Sequence, residues 1–411
     1  MKKIILTISA ALIMQLAAFA QIQEELFSSC LKCDFEGVKK AVENGADVNE
    51  PNAKTKQNAL AYSYFSPEIT RYLLEKKCDP NGGSYPAILG AACVGSYEVI
   101  KVLLENGADP NKSAYNMNAL LQVAKMTNCA ECAELLLTKG ADKNAKESIY
   151  GNAMGVYAAN GLPQDERKEA MKKYGDMLKG YGLTVPDWYY NPSPKLNAAP
   201  DEMVKVLVKH GVDINKRGMN VTDVTLPGEP PLFTAMNVGQ QEIILSLLNN
   251  GADYNAQHKV FEKGLTYWNA SGGYTPLMYA CVKKYPNIVK WLAGKSDIIN
   301  HSVSGQTISS ADMIYSFSGL SAIFLAIMNG DMASVQALAE SNIKWEDFVL
   351  EALPGQKFEQ SYGSKPSGKI YDFGTIGGST DGGSTLKYTP SLYADLLEQK
   401  EMADYLRSKG L

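Results

Sequence analysis

The chain is 411 residues long, 45% hydrophobic, and carries a formal net charge of −4. That hydrophobic content is ordinary for a globular protein, but the length is large for one compact core and points to several domains or an elongated repeat. A DNA or RNA surface needs clustered cations to displace counterions from phosphates. With 44 acidic against 40 basic residues and no dense Lys/Arg block, nucleic acid is excluded as a partner.

Lys2 and Lys3 precede an apolar run from Ile4 to Leu16 that ends in Ala18-Phe19-Ala20, the charged, apolar, small-x-small order of a cleavable secretory signal. The run contains Thr7, Ser9 and Gln15 and is shorter than the roughly 20 apolar residues of a membrane span. Residues 1–20 are therefore expected to be removed after Ala20. Residues 21–411 would then act in the periplasm or outside the cell, without membrane attachment.

Beyond that segment one phrase recurs: Gly45-Ala46-Asp47-Val48-Asn49, Gly107-Ala108-Asp109-Pro110-Asn111, Gly140-Ala141-Asp142-Lys143-Asn144, Gly211-Val212-Asp213-Ile214-Asn215 and Gly251-Ala252-Asp253-Tyr254-Asn255. Degenerate copies follow Cys78 and begin at Asp297. Asparagines at 49, 81, 111 and 144 lie 32, 30 and 33 residues apart, and the step from 144 to 215 is 71, close to two such units. Each phrase follows a short amphipathic stretch (Val38 to Val42, Val99 to Leu104, Ala133 to Leu137, Val204 to Val208, Ile243 to Leu248) with apolar residues on one helical face. The glycine suits a helix C-terminus, and Asp and Asn suit the tight turn after it. Thr275-Pro276-Leu277 supplies a start signal, with a capping hydroxyl before a first-turn proline.

At these residues the chain resembles the ankyrin-repeat family, whose unit of about 33 residues is two antiparallel helices and a turn. The resemblance implies an all-α solenoid of about nine to ten helix pairs, each packed mainly on its neighbours, acting as a non-enzymatic protein-binding scaffold without a cofactor. Deleting a terminal pair should then lower stability progressively. Residues 21–144 read as regular repeats, 145–215 as irregular repeats with an insertion (a polar helix Gln164 to Lys179, then a loop at Trp188-Tyr189-Tyr190), and 216–411 as repeats with lengthened turns and a C-terminal cap. Within the last of these turns, Lys369 to Phe373 alternates as a strand does.

Reactive groups are sparse. The three histidines, His210, His258 and His301, lack a metal-type partner at helical spacing, and no nucleophile elbow or phosphate-binding loop is present. No catalytic residue, metal or cofactor is expected. Cys30 with Cys33 and Cys129 with Cys132 share a Cys-x-x-Cys spacing; each pair reads as small apolar packing or as a local disulfide in an exported protein. Cys78, Cys93 and Cys281 read as core.

The lengthened turns, Lys216 to Pro231, Ala256 to Thr275, His301 to Gly319 and Pro354 to Thr389, fall at one point of the unit and should project on a common face. Their aromatics either pack within each turn or meet a partner. As partner contacts the sequence offers Tyr267, Trp268, Tyr274, Tyr315, Phe317, Tyr371 and Phe373, with Trp188, Tyr189 and Tyr190 as a second patch. The partner is expected to be another protein, held by a monomer. Rival readings are a carbohydrate- or peptidoglycan-interacting protein or enzyme using the aromatic and Gly-rich insertions, and a protective partner of another exported protein.

Overall fold

The computed structural model describes residues 2–146, 150–162, 164–191, 199–218, 228–257, 273–295, 302–308, 314–341, 350–352, 357–362, 365–372 and 386–411. The chain divides into two units, Met1–Gly251 and Ala252–Leu411.

In the first unit α1 (Lys2–Leu31) precedes α2 (Phe35–Glu43), and a 3₁₀ turn (Ala59–Tyr62) precedes α3 (Pro67–Glu75). Then come α4 (Ala87–Val94) with α5 (Tyr97–Glu105), and α6 (Ala119–Met126) with α7 (Ala130–Thr138). α8 (Ala153–Asn160) is followed by α9 (Gln164–Gly180) and α10 (Asp187–Tyr190) before α11 (Pro200–Lys209). α12 (Pro231–Val238) and α13 (Gln241–Asn249) complete it.

These helices form two rows. α4, α6, α8 and α12 lie side by side in one, and α3, α5, α7, α11 and α13 in the other. Because α8 sits between α6 and α12 while α11 sits between α7 and α13, the stretch from Asn144 to Asn215 is one helix pair, not two. The 71-residue step is one repeat enlarged by α9 and α10, and Trp188-Tyr189-Tyr190 belong to a short helix, not a loop.

Composition explains the rows. A helix flanked by neighbours on both sides must be apolar nearly all round, and α4 buries Ala87, Ile88, Leu89, Ala91, Ala92 and Val94. Helices of the other row keep one face wet: α5 buries Val99, Ile100, Val102 and Leu103 and exposes Glu98 and Glu105. Each such buried Leu, Ile or Val contributes roughly 1.5–3 kcal/mol. Capping fixes the starts, as where Asn118 Oδ1 accepts from the Leu121 N–H at 2.9 Å. At the ends the recurrent glycine turns the chain, Gly107 doing so at φ +89°, which side chains with a Cβ resist.

The second unit contains α14 (Pro276–Lys283), α15 (Pro286–Ala293), α16 (Ala322–Met328), α17 (Met332–Ala339), α18 (Pro390–Leu396) and α19 (Lys400–Ser408). α16 lies against both α14 and α18, and α17 against α15. Thr275 Oγ1 caps α14 by accepting from the Met278 N–H at 3.3 Å. Between α15 and α16 run β1 (Ser302–Ile308) and β2 (Ile314–Ser321), antiparallel with Ser302 opposite Ser321. Between α17 and α18 run β3 (Leu350–Ala352), β4 (Lys357–Tyr362), β5 (Lys365–Asp372) and β6 (Leu386–Tyr388). The sheet order is β1-β2-β3-β6, and β4 and β5 form a separate antiparallel pair.

Candidate protein-binding surface

The recurrent turn phrase links one repeat to the next. In each described turn the Asp carboxylate accepts from the backbone N–H two residues on, as Asp109 does from Asn111 at 2.8 Å. That fixes the Asn amide so that it reaches the following turn. Asn49 donates to Lys77 O and accepts from the Asp79 N–H, Asn81 does the same with Gly107 O and Asp109 N, and Asn111 with Gly140 O and Asp142 N, all within 2.9 Å. Gln23 begins the series by donating to Asp47 O and accepting from the Asp47 N–H. Sequence reasoning assigned Asp and Asn only to their own turns. Replacing Asn81 with alanine removes both inter-turn bonds and should lower stability by about 1 kcal/mol, read as a lower urea midpoint by circular dichroism.

Between the turn at Asn111 and the cap Asn118 the chain makes a two-residue hairpin, Ala114 bridging Met117. Its corner residues Tyr115 and Asn116 have φ of +53° and +60°. Asparagine tolerates the left-handed region; tyrosine is held there at a cost of about 1–2 kcal/mol. The Tyr115 side chain is 90% exposed, with its ring 6.4 Å from that of Tyr85. Beside this fingertip lies a cavity of about 650 Å³, walled by the hairpin, by Asp142, Lys146 and Gly151, and by Lys216, Arg217 and Gly218. Tyr85 continues inward from the fingertip, its hydroxyl hydrogen-bonded to the Cys93 thiol at 3.3 Å and accepting from Gln122 Nε2. Burial raises both the Tyr85 hydroxyl and the Cys93 thiol above their ordinary range. A protonated thiol is a poor nucleophile.

The α9–α10 insertion packs against the early repeats. Leu178, Val185 and Tyr189 form one buried cluster with Phe65 and Val94, and Met171, Trp188 and Tyr190 pack against it. The Phe65 ring meets Tyr189 edge-on at 5.5 Å and Trp188 at 5.9 Å. Gly175 leaves room for Tyr190, since a Cβ there would come within 2.8 Å of the ring, and Lys179 Nζ lies 4.3 Å from its centre. The Thr184 N–H donates to Leu31 O at 3.3 Å, and Asn128 Nδ2 donates to Leu162 O at 3.0 Å. Tyr189 is therefore a core residue, 3% exposed. Its assignment to an exposed second patch is corrected: the three aromatics hold the insertion against the repeats, with Trp188 and Tyr190 half-buried.

Residues 26–114 and 87–147 match the family model for ankyrin repeats in three copies, and residues 272–302 match the single ankyrin repeat. These segments are ankyrin repeats. No curated protein matches the chain. Ankyrin repeats indicate a scaffold for protein–protein interaction, a family role that is generally non-enzymatic. Among the described residues no group of three or more His, Cys, Asp or Glu side chains could hold a metal ion, and no helix is long and apolar enough to cross a membrane.

The other residues offered by the sequence belong to the second unit. Tyr274 is half-buried just before the α14 cap. Tyr315 stands opposite Thr307 in the β1–β2 pairing, Phe317 pairs with Gly305 and with Ala352, and Tyr371 of β5 stands opposite Phe358. Tyr267, Trp268 and Phe373 lie outside the described residues. Of the two Cys-x-x-Cys pairs, Cys129–Cys132 is a disulfide and Cys30 and Cys33 are free. Cys129 is the N-cap of α7, so the next turn of helix brings Cys132 back to it. Cys30 and Cys33 straddle the end of α1, where Cys33 takes φ +53°. Sequence reasoning missed Tyr115 and the cationic side chains at Lys146, Lys216 and Arg217; the step from Asn111 to the cap Asn118 is no longer than those from Asn49 to Asn58 or from Asn144 to Asn152, so its length carried no signal.

Proposed function

We propose that the chain is a non-enzymatic scaffold that works outside the cytoplasm, holding a partner protein on the face where its turns project. The helix pairs matched by no family model are read as ankyrin-type repeats too, on their common two-row packing. The observation that carries the binding role is Tyr115, a large aromatic held 90% exposed on a left-handed hairpin corner beside the Tyr85 ring. The longer turns, with Tyr267, Trp268, Tyr274, Tyr315, Phe317, Tyr371 and Phe373, are further contacts in this reading. To test it, the tagged full chain and its Tyr115→Ala variant are crosslinked in the native host and compared by quantitative mass spectrometry. A protein retained by the natural chain and depleted about tenfold or more on the variant supports the reading; the same proteins at equal yield on both would overturn it.

Export rests on the signal-like residues 1–20 and on two features beyond them. Residues 17–20 are exposed, whereas Gln23, Leu26 and Phe27 are buried in the first repeat, so cleavage after Ala20 would spare these three packed residues. The Cys129–Cys132 disulfide suits an oxidising compartment. Intact-mass measurement on protein from its host should find a chain beginning at Gln21; full-length protein in the membrane fraction sinks this part.

A further inference from the structure

We infer that the cavity beside the fingertip takes an acidic segment of the partner, a peptide stretch rich in Asp and Glu. This assignment rests on the scaffold reading above and names the chemistry of its ligand. Lys146 comes from the turn after α7, and Lys216 and Arg217 come from the turn after α11; the fold brings these cations, about 70 residues apart in sequence, to one cavity of about 650 Å³. Among the described residues the carboxylate in the lining is Asp142, which is already engaged by the Asn144 N–H at 2.8 Å. Arg217 is held in place by donating to Gly228 O at 3.3 Å, so its charge is fixed in orientation before a ligand arrives.

This concentration of positive charge runs against the chain as a whole, which has a net charge of −4. Such a balance repels a long polyanion while leaving a local site for a few carboxylates. The hairpin adds the Asn116 and Asn118 amides to the lining, and its Tyr115 stands exposed next to them. Carboxylates in the cavity beside an apolar residue against the Tyr115 ring is thus the complementary pattern.

The test uses the full chain and fluorescence anisotropy with three labelled probes: a twelve-residue peptide of alternating Glu and Leu-Gly pairs, its Lys counterpart, and an oligothymidine of matched charge. The natural chain should bind the Glu peptide in preference to both others. K146E/K216E should weaken that binding about tenfold, K146R/K216R should retain it, and raising the salt from about 0.05 to 0.5 M should weaken it in the natural chain. Helical circular dichroism establishes that each variant is folded, and K146Q/K216Q, expected to lie between the two, replaces the charge reversal if that fails to fold. Equal binding by the natural chain and K146E/K216E, preference for the Lys peptide, preference for the oligonucleotide, or no binding of the Glu peptide would each overturn the inference. If the crosslinked partner that depends on Tyr115 remains on K146E/K216E, the scaffold reading stands and the acidic ligand alone falls.

Discussion

Replacing Phe65 with alanine should lower the stability of the first unit by about 3–5 kcal/mol and release the α9–α10 insertion. Phe65 is 4% exposed and joins the turn before α3 to Trp188 and Tyr189 through edge-on ring contacts. Truncation removes the transfer free energy of a buried ring and leaves a cavity that the flanking aromatics cannot close, because Tyr189 is itself fixed among Val94, Leu178 and Val185. The change should register twice: as a lower urea midpoint, and as faster protease cleavage between residues 164 and 190 in the folded state. An unchanged midpoint with unchanged cleavage would mean that the insertion is not seated on this ring.

Gly155→Ala should be nearly as damaging, at about 3 kcal/mol, although alanine is the better helix former. Gly155 lies buried in α8, and a Cβ there would collide with the carbonyl oxygen of Tyr150. The obstacle is backbone, so no rotamer change relieves it, and α8 is confined between α6 and α12. On intrinsic propensity alone the substitution should gain up to about 1 kcal/mol. The sign of the measured change in thermal or urea unfolding therefore separates close packing from propensity.

What could be read from the sequence and what could not follow from how local each cause is. The turn phrase is local: a glycine at a helix end and an Asp bonded two residues on leave a mark in every copy, so helix pairs and their spacing were legible. The insertion is not local. Its polar helix begins at Gln164, its apolar side chains Met171 and Leu178 find Phe65 and Val94 about 80 to 110 residues earlier, and its length happens to fill out the spacing of a second repeat. Nothing in that stretch distinguishes a core aromatic from a surface one, which is why Tyr189 reads from sequence as an anchor for a partner. The cavity was illegible for the same reason, since Lys146 and Lys216 belong to different turns. The two Cys-x-x-Cys motifs show the limit at its narrowest: equal spacing, but one starts a helix and the other ends one.

The α9–α10 insertion also changes the order in which the chain can assemble. A stack of repeats held by nearest neighbours can fold from its leading end as that end appears. Here Thr184 bonds to Leu31, and Cys33 lies against the same loop across a separation of 151 residues. The first repeats therefore remain incomplete, with Phe65 and Val94 uncovered, until roughly half the chain has emerged. Closing so long a loop adds an entropic cost that local pairing does not meet. In a chain delivered residue by residue, that delay leaves an early apolar surface waiting for its cover, a period in which it is open to chaperones or to the wrong neighbour.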